Sequence, residues 1–140
     1  MDTVAAGAGR KLVGLDRGEC LRLLATVPVG RLIFTVNALP TVRMMNFVLA
    51  GDMIVLRTAL DASAARKAAG SVVSFEADAV DLATNSGWSV TATGWAMLVT
   101  DEQAIATYRA LPLVPWAPGE RDQFITVKAD VVQGQQILPA

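Results

Sequence analysis

The stretch GRLIFTVNALPTVRMMNFVLAGDMIVLRT, residues 30–58, carries the clearest structural signal in this chain of 140 residues. Apolar and polar residues alternate there with a period of two, in the runs Arg31–Val36, Thr41–Leu49 and Met53–Thr58. The segments between the runs, Asn37–Pro40 and Ala50–Asp52, are rich in turn-forming residues. The pattern predicts a meander of three antiparallel strands.

A short helix is predicted upstream of this meander. Asp16 and Glu19 have the spacing of a helix capping box, and apolar residues follow at helical intervals. Cys20 lies on that apolar stripe and is predicted to be a core residue, because nothing nearby would lower its thiol pKa. Residues 1–13, rich in alanine and glycine, are predicted to be a flexible arm in front of a single domain over residues 14–140.

Downstream of the meander, short helical segments alternate with longer strand patterns. The predicted elements are a helix at Asp61–Ala69, strands at Val72–Ala77 and Trp88–Val99, a helix at Thr100–Ala110, and a strand region at Phe124–Ile137. Gly94 falls where the strands of small barrels often bend. Six or seven antiparallel strands with two or three short helices predict a mainly β, α+β fold whose sheet closes into a barrel.

The composition excludes several classes of protein. With 53% apolar residues, 18% charged residues and a mean hydropathy of +0.43, the chain is not expected to be disordered. It has no run of about 18 apolar residues, so no membrane partner is expected. Its start lacks the basic and apolar segments of a signal peptide, which predicts a cytoplasmic protein. The surplus of apolar surface on so short a chain predicts a homo-oligomer.

Residue types limit the chemistry that the chain can perform. It has no histidine and a single cysteine, so zinc motifs, Ser-His-Asp triads and intrachain disulfides are excluded and no metal site is predicted. The net charge is −1, from 12 basic and 13 acidic residues, which provides no basic surface for nucleic acid. A small molecule is the expected partner, and catalysis would need a cofactor or carboxylates.

Polar residues within the meander indicate a ligand site. Asn46, Arg57 and Thr58 lie among apolar strand residues, where each polar group must be paired or must face a ligand. Arg57 supplies a charged fork, Thr58 a hydroxyl, and a helix beginning at Asp61 would add free N–H groups, a combination that suits a phosphate. The alternative is that Arg57 pairs with a surface carboxylate.

Two further segments place aromatic residues beside polar ones. Trp88 and Ser89 could contact a planar heterocycle through the indole ring and the hydroxyl, although Trp88 taken alone is better explained by packing in the core. Trp116 and Arg121 lie in an irregular loop, residues 116–122, of the kind that often carries recognition. The alternative is a solvated loop that Trp116 pins to the barrel.

These segments, in this order and spacing, resemble the pyridoxamine 5′-phosphate oxidase-like family of flavin-binding split β-barrels. The resemblance covers about residues 14–138 and is carried by Glu19–Leu24, Val29–Leu32, Asn46–Phe47, Arg57–Thr58, Phe75–Glu76, Ser86–Val90 and Trp116–Asp122. It implies a split barrel that forms a homodimer, with FMN bound in each of two clefts between the subunits.

The resemblance also implies which residues bind the cofactor. They are Met44, Met45, Asn46, Trp88 and Ser89 around the ring, Arg57, Thr58, Ser63 and Lys67 around the phosphate, and Trp116 and Arg121 from the partner. Ser63 stands where the family usually has a phosphate-binding lysine, and Lys67 follows about one helical turn later.

Two functions are consistent with these residues. The first is an FMN-dependent oxidoreductase acting on a small molecule, in which the flavin performs the redox chemistry. Within this class a deazaflavin cofactor is an alternative, with Arg43, Arg66 and Lys67 as the basic residues for its acidic tail. The second is a non-catalytic dimer that binds a ligand or partner and has weakened or lost flavin binding, as the missing lysine favours. Catalytic residues are not assigned.

Overall fold

The computed structural model describes residues 11–58, 67–117 and 123–139 of the chain. It gives the bounds of eight strands and two helices. The strands are β1 (Lys11–Leu15), β2 (Val29–Val36), β3 (Leu39–Ala50), β4 (Met53–Thr58), β5 (Val72–Asp81), β6 (Ser86–Leu98), β7 (Gln123–Lys128) and β8 (Val131–Leu138). The helices are α1 (Arg17–Leu24) and α2 (Glu102–Arg109). In these ranges no helix has the length and apolar character needed to cross a membrane.

Six strands close a barrel in the order β6-β5-β2-β3-β4-β7, and β7 pairs back to β6. Strands β8 and β1 extend the sheet beyond β6, outside the barrel. Strand β6 belongs to both parts because it is 13 residues long: Gly87–Thr93 pair with β8, and Ala96–Leu98 pair with β7. The predicted antiparallel split barrel with short helices is confirmed, with two strands added outside it.

Gly94 marks the point where β6 changes partner. A Cβ at this position would overlap the carbonyl oxygen of Lys128, the last residue of β7. Only glycine therefore allows the two backbones to approach so closely. The same junction divides the strand region predicted at Phe124–Ile137 into β7 and β8, which meet at Ala129 and Asp130.

The barrel interior is filled by apolar side chains from every barrel strand. Fully or almost fully buried members include Leu32, Phe34, Phe47, Ile54, Leu56, Phe75, Val90 and Ile125. The rings of Phe47 and Phe75 lie 4.8 Å apart between their centroids. Cys20 of α1 joins this cluster, and burial raises the pKa of its thiol, so its predicted core role is confirmed.

Helix α1 begins at the predicted cap. The Asp16 carboxylate accepts a hydrogen bond from the Glu19 N–H at 2.8 Å. The Glu19 side chain does not reach back to the cap as a full capping box would; it pairs with Arg22 instead. Helix α2 begins one residue later than predicted, because Asp101 rather than Thr100 is its cap and accepts from the Ala104 N–H.

The other differences come from strand pairing. Residues 11–13, which were expected in the flexible arm, belong to β1, because Lys11 pairs opposite Leu138 near the other end of the chain. Asn37 and Ala38 both have positive φ and form a two-residue hairpin turn, so β3 begins at Leu39. Pairing also lengthens β2, β5 and β6 beyond their predicted bounds.

Candidate functional site

One end of the barrel brings several predicted site residues together. The last pair of the β3–β4 ladder is Phe47 with Leu56, so Asn46 lies one residue beyond it. Strand β4 itself continues beside β7 as far as Thr58, which lies opposite Gln123. Continuing the β3–β4 register by one residue places Asn46 beside Arg57. The residues at this end are termed the barrel rim: Met45, Asn46, Arg57, Thr58, Gln123 and Phe124.

The rim has an outward side and an inward side, because opposite residues in an antiparallel pair share a face and successive residues alternate. Arg57 lies opposite Phe124 on the outward side, and its guanidinium carbon is 5.4 Å from the centroid of the Phe124 ring. This cation–π contact holds a half-buried positive charge at the end of β4. A partly shielded guanidinium of this kind is suited to bind a phosphate.

On the inward side of the rim, the facing residues Thr58 and Gln123 are polar, whereas Met45 packs against the apolar core. Thr58 is 1% exposed. Opposite it, the Oε1 atom of Gln123 is buried and, within the described ranges, has no hydrogen-bond partner. Sequence reasoning missed Gln123, because a glutamine at the start of a strand has no distinguishing pattern until the register places it opposite Thr58.

Asn46 attaches the loop that follows α2 to the rim. Its Oδ1 accepts a hydrogen bond from the Trp116 N–H at 2.8 Å, and its Nδ2 donates to the Pro28 carbonyl oxygen at 3.4 Å. Trp116 is 68% exposed, so it is attached here through its backbone N–H and not by burial of its ring. Residues 118–122, most of the loop that Trp116 was expected to hold, lie outside the described residues. Leu113, earlier in the same segment, is buried in one cluster with Phe124. Trp116 thus lies beside Asn46 of its own protomer, whereas the resemblance implied an approach from the partner.

Trp88 and Ser89 lie on opposite faces of β6. Trp88 is partly buried: it packs against the core, as its alternative interpretation expected, and it also lines the groove described next. Ser89 faces outward and lines a groove of about 380 Å³ together with Asp78 and Gln135. Ser89 lies in the part of β6 that pairs with β8, and Arg57 lies on β4, which β7 separates from the other part of β6.

The remaining predicted site residues are dispersed. Met44 is 70% exposed on the outward face, opposite Arg31, while its neighbour Met45 packs against the core. Lys67 is exposed. Ser63 and Arg121 lie outside the described residues, as does most of the helix predicted at Asp61–Ala69.

A charged cluster lies on the outward face of β2 and β5. Nη1 of Arg31 is 3.3 Å from Oε1 of Glu76 and 3.2 Å from Oδ1 of Asp78. Burial and the neighbouring Asp78 carboxylate raise the pKa of Glu76 to about 7, although Arg31 acts in the opposite direction. Glu76 can therefore gain or lose a proton near neutral pH, a property that the sequence pattern did not indicate.

Comparison with known proteins identifies the family. Residues 16–137 match the family model for pyridoxamine 5′-phosphate oxidase. Rv0080, an uncharacterised protein of Mycobacterium tuberculosis, is 39% identical over 136 residues, which cover 94% of this chain and 89% of that protein.

Two solved structures share the fold over most of their length. The FAD binding protein from Mycobacterium smegmatis has a TM-score of 0.75 at 29% identity, covering 88% of this chain and 95% of that chain. A Corynebacterium glutamicum protein, provisionally assigned as a pyridoxamine 5′-phosphate oxidase, has a TM-score of 0.79 at 25% identity, covering 92% and 95%. With its split barrel and a family match over residues 16–137, this chain belongs to the pyridoxamine 5′-phosphate oxidase family.

Proposed function

We propose that this chain is a cytoplasmic, homodimeric flavoprotein that binds FMN at the barrel rim and acts as an oxidoreductase on a small molecule. The observation that carries this proposal is the position of Arg57. Its guanidinium is half-buried over Phe124 at the outward end of β4, next to Asn46. The flavin-binding relative from Mycobacterium smegmatis, at 29% identity, supports a flavin as the ligand.

The rim residues fit a flavin nucleotide in charge and in shape. Arg57 offers charge-assisted hydrogen bonds to the phosphate. The exposed indole of Trp116, held beside Asn46, offers a flat apolar surface of the kind that packs on planar rings. Bound there, the flavin would supply the redox chemistry, while the protein supplies binding and orientation.

FMN is proposed over a deazaflavin because a single basic residue stands among the rim residues, whereas Arg43 lies before the rim on β3. The Nη1 group of Arg43 donates to the carbonyl oxygen of its neighbour Val42 at 3.0 Å, so this donor is already used within β3. Of the other two residues expected to bind a long acidic tail, Lys67 is exposed and Arg66 lies outside the described residues. Arg57 is the basic residue of the rim, and one guanidinium matches the single phosphate of FMN.

The proposed homodimer uses the outward face of the sheet formed by β3, β2, β5, β6 and β8. Large apolar side chains are exposed on this face: Val42, Met44, Val72, Val80, Trp95 and Ile137. Apolar surface on a folded sheet is typical of an interface with a second copy. Ser89 lies on the same face, so it would lie in the proposed interface.

The alternative function, a non-catalytic dimer with weakened flavin binding, is favoured by one specific observation. Both ends of the Asn46 amide are occupied by protein groups, the Trp116 N–H and the Pro28 carbonyl oxygen. The backbone around Met44–Asn46 was expected to contact the flavin ring, whereas the Asn46 side chain uses one acceptor site and one donor to hold protein segments together.

Purification followed by reconstitution tests the proposal. We expect flavin absorption in the purified protein, or in the apoprotein after titration with FMN, with one FMN bound per chain. Lys128→Ala is the matched control for Arg57→Ala, because it also removes a basic side chain from the barrel. Lys128 pairs with Asp52 and lies away from the rim, so this variant should bind FMN as the wild type does. A colourless protein that does not quench FMN fluorescence on titration would contradict FMN binding. A second measurement separates the two functions. In an oxidoreductase a soluble donor reduces the bound flavin, and the flavin passes the electrons to an acceptor; in the non-catalytic alternative this electron transfer does not occur.

A further inference from the structure

The outward face of the sheet formed by β3, β2, β5, β6 and β8 carries few charges. In these strands the charged side chains at outward positions are Arg31, Glu76 and Asp78. The other outward positions hold uncharged residues, among them the exposed Val80 and Trp95. Depletion of charged residues distinguishes the buried centre of a protein interface from ordinary surface. The face therefore has the composition of an interface.

The three charges lie side by side in one cluster, and they do not balance. One guanidinium, that of Arg31, lies within 3.3 Å of both the Glu76 and the Asp78 carboxylates. With both carboxylates ionised, one negative charge is left over. No further charge on the neighbouring strands compensates it, because Thr91 lies opposite Glu76 on β6 and Arg43 lies on the other face of β3.

A second copy placed on this face changes the cost of the uncompensated charge. In a symmetric pair each subunit contributes the same patch, so two such clusters enter one interface. Removing an unbalanced carboxylate from water costs much more free energy than removing a hydrogen-bonded carboxylic acid. A proton on Glu76 leaves Arg31 paired with Asp78 and makes the cluster neutral. Association of the two subunits is therefore favoured by protonation of Glu76.

We propose that Glu76 makes the homodimer sensitive to pH, because its carboxylate takes up a proton when the two outward faces come together. This inference rests on the proposed homodimer and adds the regulation of its interface. Each dimer takes up at most two protons, one for each subunit.

The direction of the pH dependence follows from the surroundings of Glu76. Burial and the neighbouring Asp78 carboxylate raise the pKa of Glu76 to about 7 in the single chain. Further burial in the dimer raises this pKa again. Above about pH 7 the dimer therefore binds more protons than two separate subunits, and its Kd increases with pH. Below that value Glu76 is protonated in both states, and the Kd is constant.

Dimer dissociation constants, measured by sedimentation across a range of pH, test the proposal. For the wild type we expect the Kd to increase at least ten-fold, to order of magnitude, between about pH 6 and about pH 8.5. Glu76→Gln mimics the protonated acid and should keep the low Kd throughout. Asp78→Asn leaves Arg31 paired with Glu76 in a neutral cluster, and it should also abolish the increase. Glu102→Gln, at the start of α2 and away from this face, is the matched control and should retain the wild-type increase.

Circular dichroism at each pH checks that the wild type and the variants are folded. A wild-type Kd that does not change with pH would overturn the role of Glu76 and leave the homodimer standing. The same conclusion would follow if Glu76→Gln and Asp78→Asn both kept the wild-type increase. A wild type that is monomeric at every pH would overturn the proposed homodimer, and this inference with it.

Discussion

The backbone N–H of Trp116 donates a hydrogen bond to Oδ1 of Asn46 at 2.8 Å. The Nδ2 group of the same amide donates to the Pro28 carbonyl oxygen at 3.4 Å. One side chain thus links β3, the segment before β2 and the loop after α2. Asn46 therefore determines where the exposed indole of Trp116 stands relative to the rim.

Replacing Asn46 tests this link. We expect Asn46→Ala to lower the free energy of unfolding by about 1–2 kcal/mol, because it leaves the Trp116 N–H and the Pro28 carbonyl oxygen without their partner. Asn46→Asp keeps the acceptor for Trp116 and should retain more of this stability. Urea denaturation measures both variants. Equal stability of Asn46→Ala and the wild type would show that the loop is held by Leu113 alone.

Arg57 is predicted to bind the flavin phosphate. Arg57→Ala should weaken FMN binding by about 1.5–3 kcal/mol, because a charge-assisted contact is lost. Raising the salt concentration should shrink the difference by screening. Ser63→Lys restores the charge that the family usually has and should tighten FMN binding. Fluorescence titration at two salt concentrations measures these effects, and circular dichroism checks that each variant is folded. Unchanged FMN affinity in Arg57→Ala would rule out the phosphate assignment.

The raised pKa of Glu76 predicts a pH dependence of stability. Its pKa is about 7 in the folded chain against 4.5 for an ordinary glutamate, so the folded state holds the proton between these values. Its stabilising contribution is complete below about pH 4.5 and is lost as the pH rises through about 7. We expect this loss to be about 1–2 kcal/mol, since water around Arg31 and Asp78 screens the charges.

Glu76→Gln supplies the control for this pH dependence. The neutral amide should remove the decline between about pH 4.5 and 7 and leave the variant at least as stable as the wild type at pH 8. The chain has no histidine, so no imidazole titrates in the same range. Denaturant unfolding across this range measures the effect. The same slope in the variant and the wild type would assign the dependence to another group.

Gly94 is predicted to be essential for closing the barrel. Gly94→Ala places a Cβ against the Lys128 carbonyl oxygen, and a backbone atom in a paired strand cannot move aside. We expect a loss of about 3 kcal/mol or more in the free energy of unfolding. In Gly14→Ala, by contrast, no atom lies within 4 Å of the new Cβ, and the change should stay within about 0.5 kcal/mol. A Tm for Gly94→Ala equal to that of Gly14→Ala would refute the close approach.

The outward sheet face is predicted to form the dimer interface. Sedimentation at micromolar concentration should give twice the 14.8 kDa mass of one chain. The interface itself is expected to bury more than about 1,600 Å². Val80→Arg places a charge on this face and should shift the protein towards monomer. Val114→Arg changes an equally exposed apolar residue in the loop after α2 and should leave the mass unchanged. A monomeric wild type would contradict both the interface and a cleft built between subunits.

Local patterns in the sequence determined the elements that depend on neighbouring residues. The period of two around Arg31–Thr58 is a property of successive side chains, and so are the Asp16 cap and the apolar stripe that contains Cys20. The absence of histidine likewise decided, without any structure, which catalytic chemistries are excluded. These features could be predicted because nearby residues specify them.

Only the tertiary structure decided which distant residues meet. The pairing of β1 with β8, the position of Gln123 opposite Thr58 and the bond from Trp116 to Asn46 all join residues far apart in the chain. A strand's own sequence specifies which side chains alternate but not which partner strand or register it takes. Closure of the barrel selects the register, and the register determines which candidate residues share the rim.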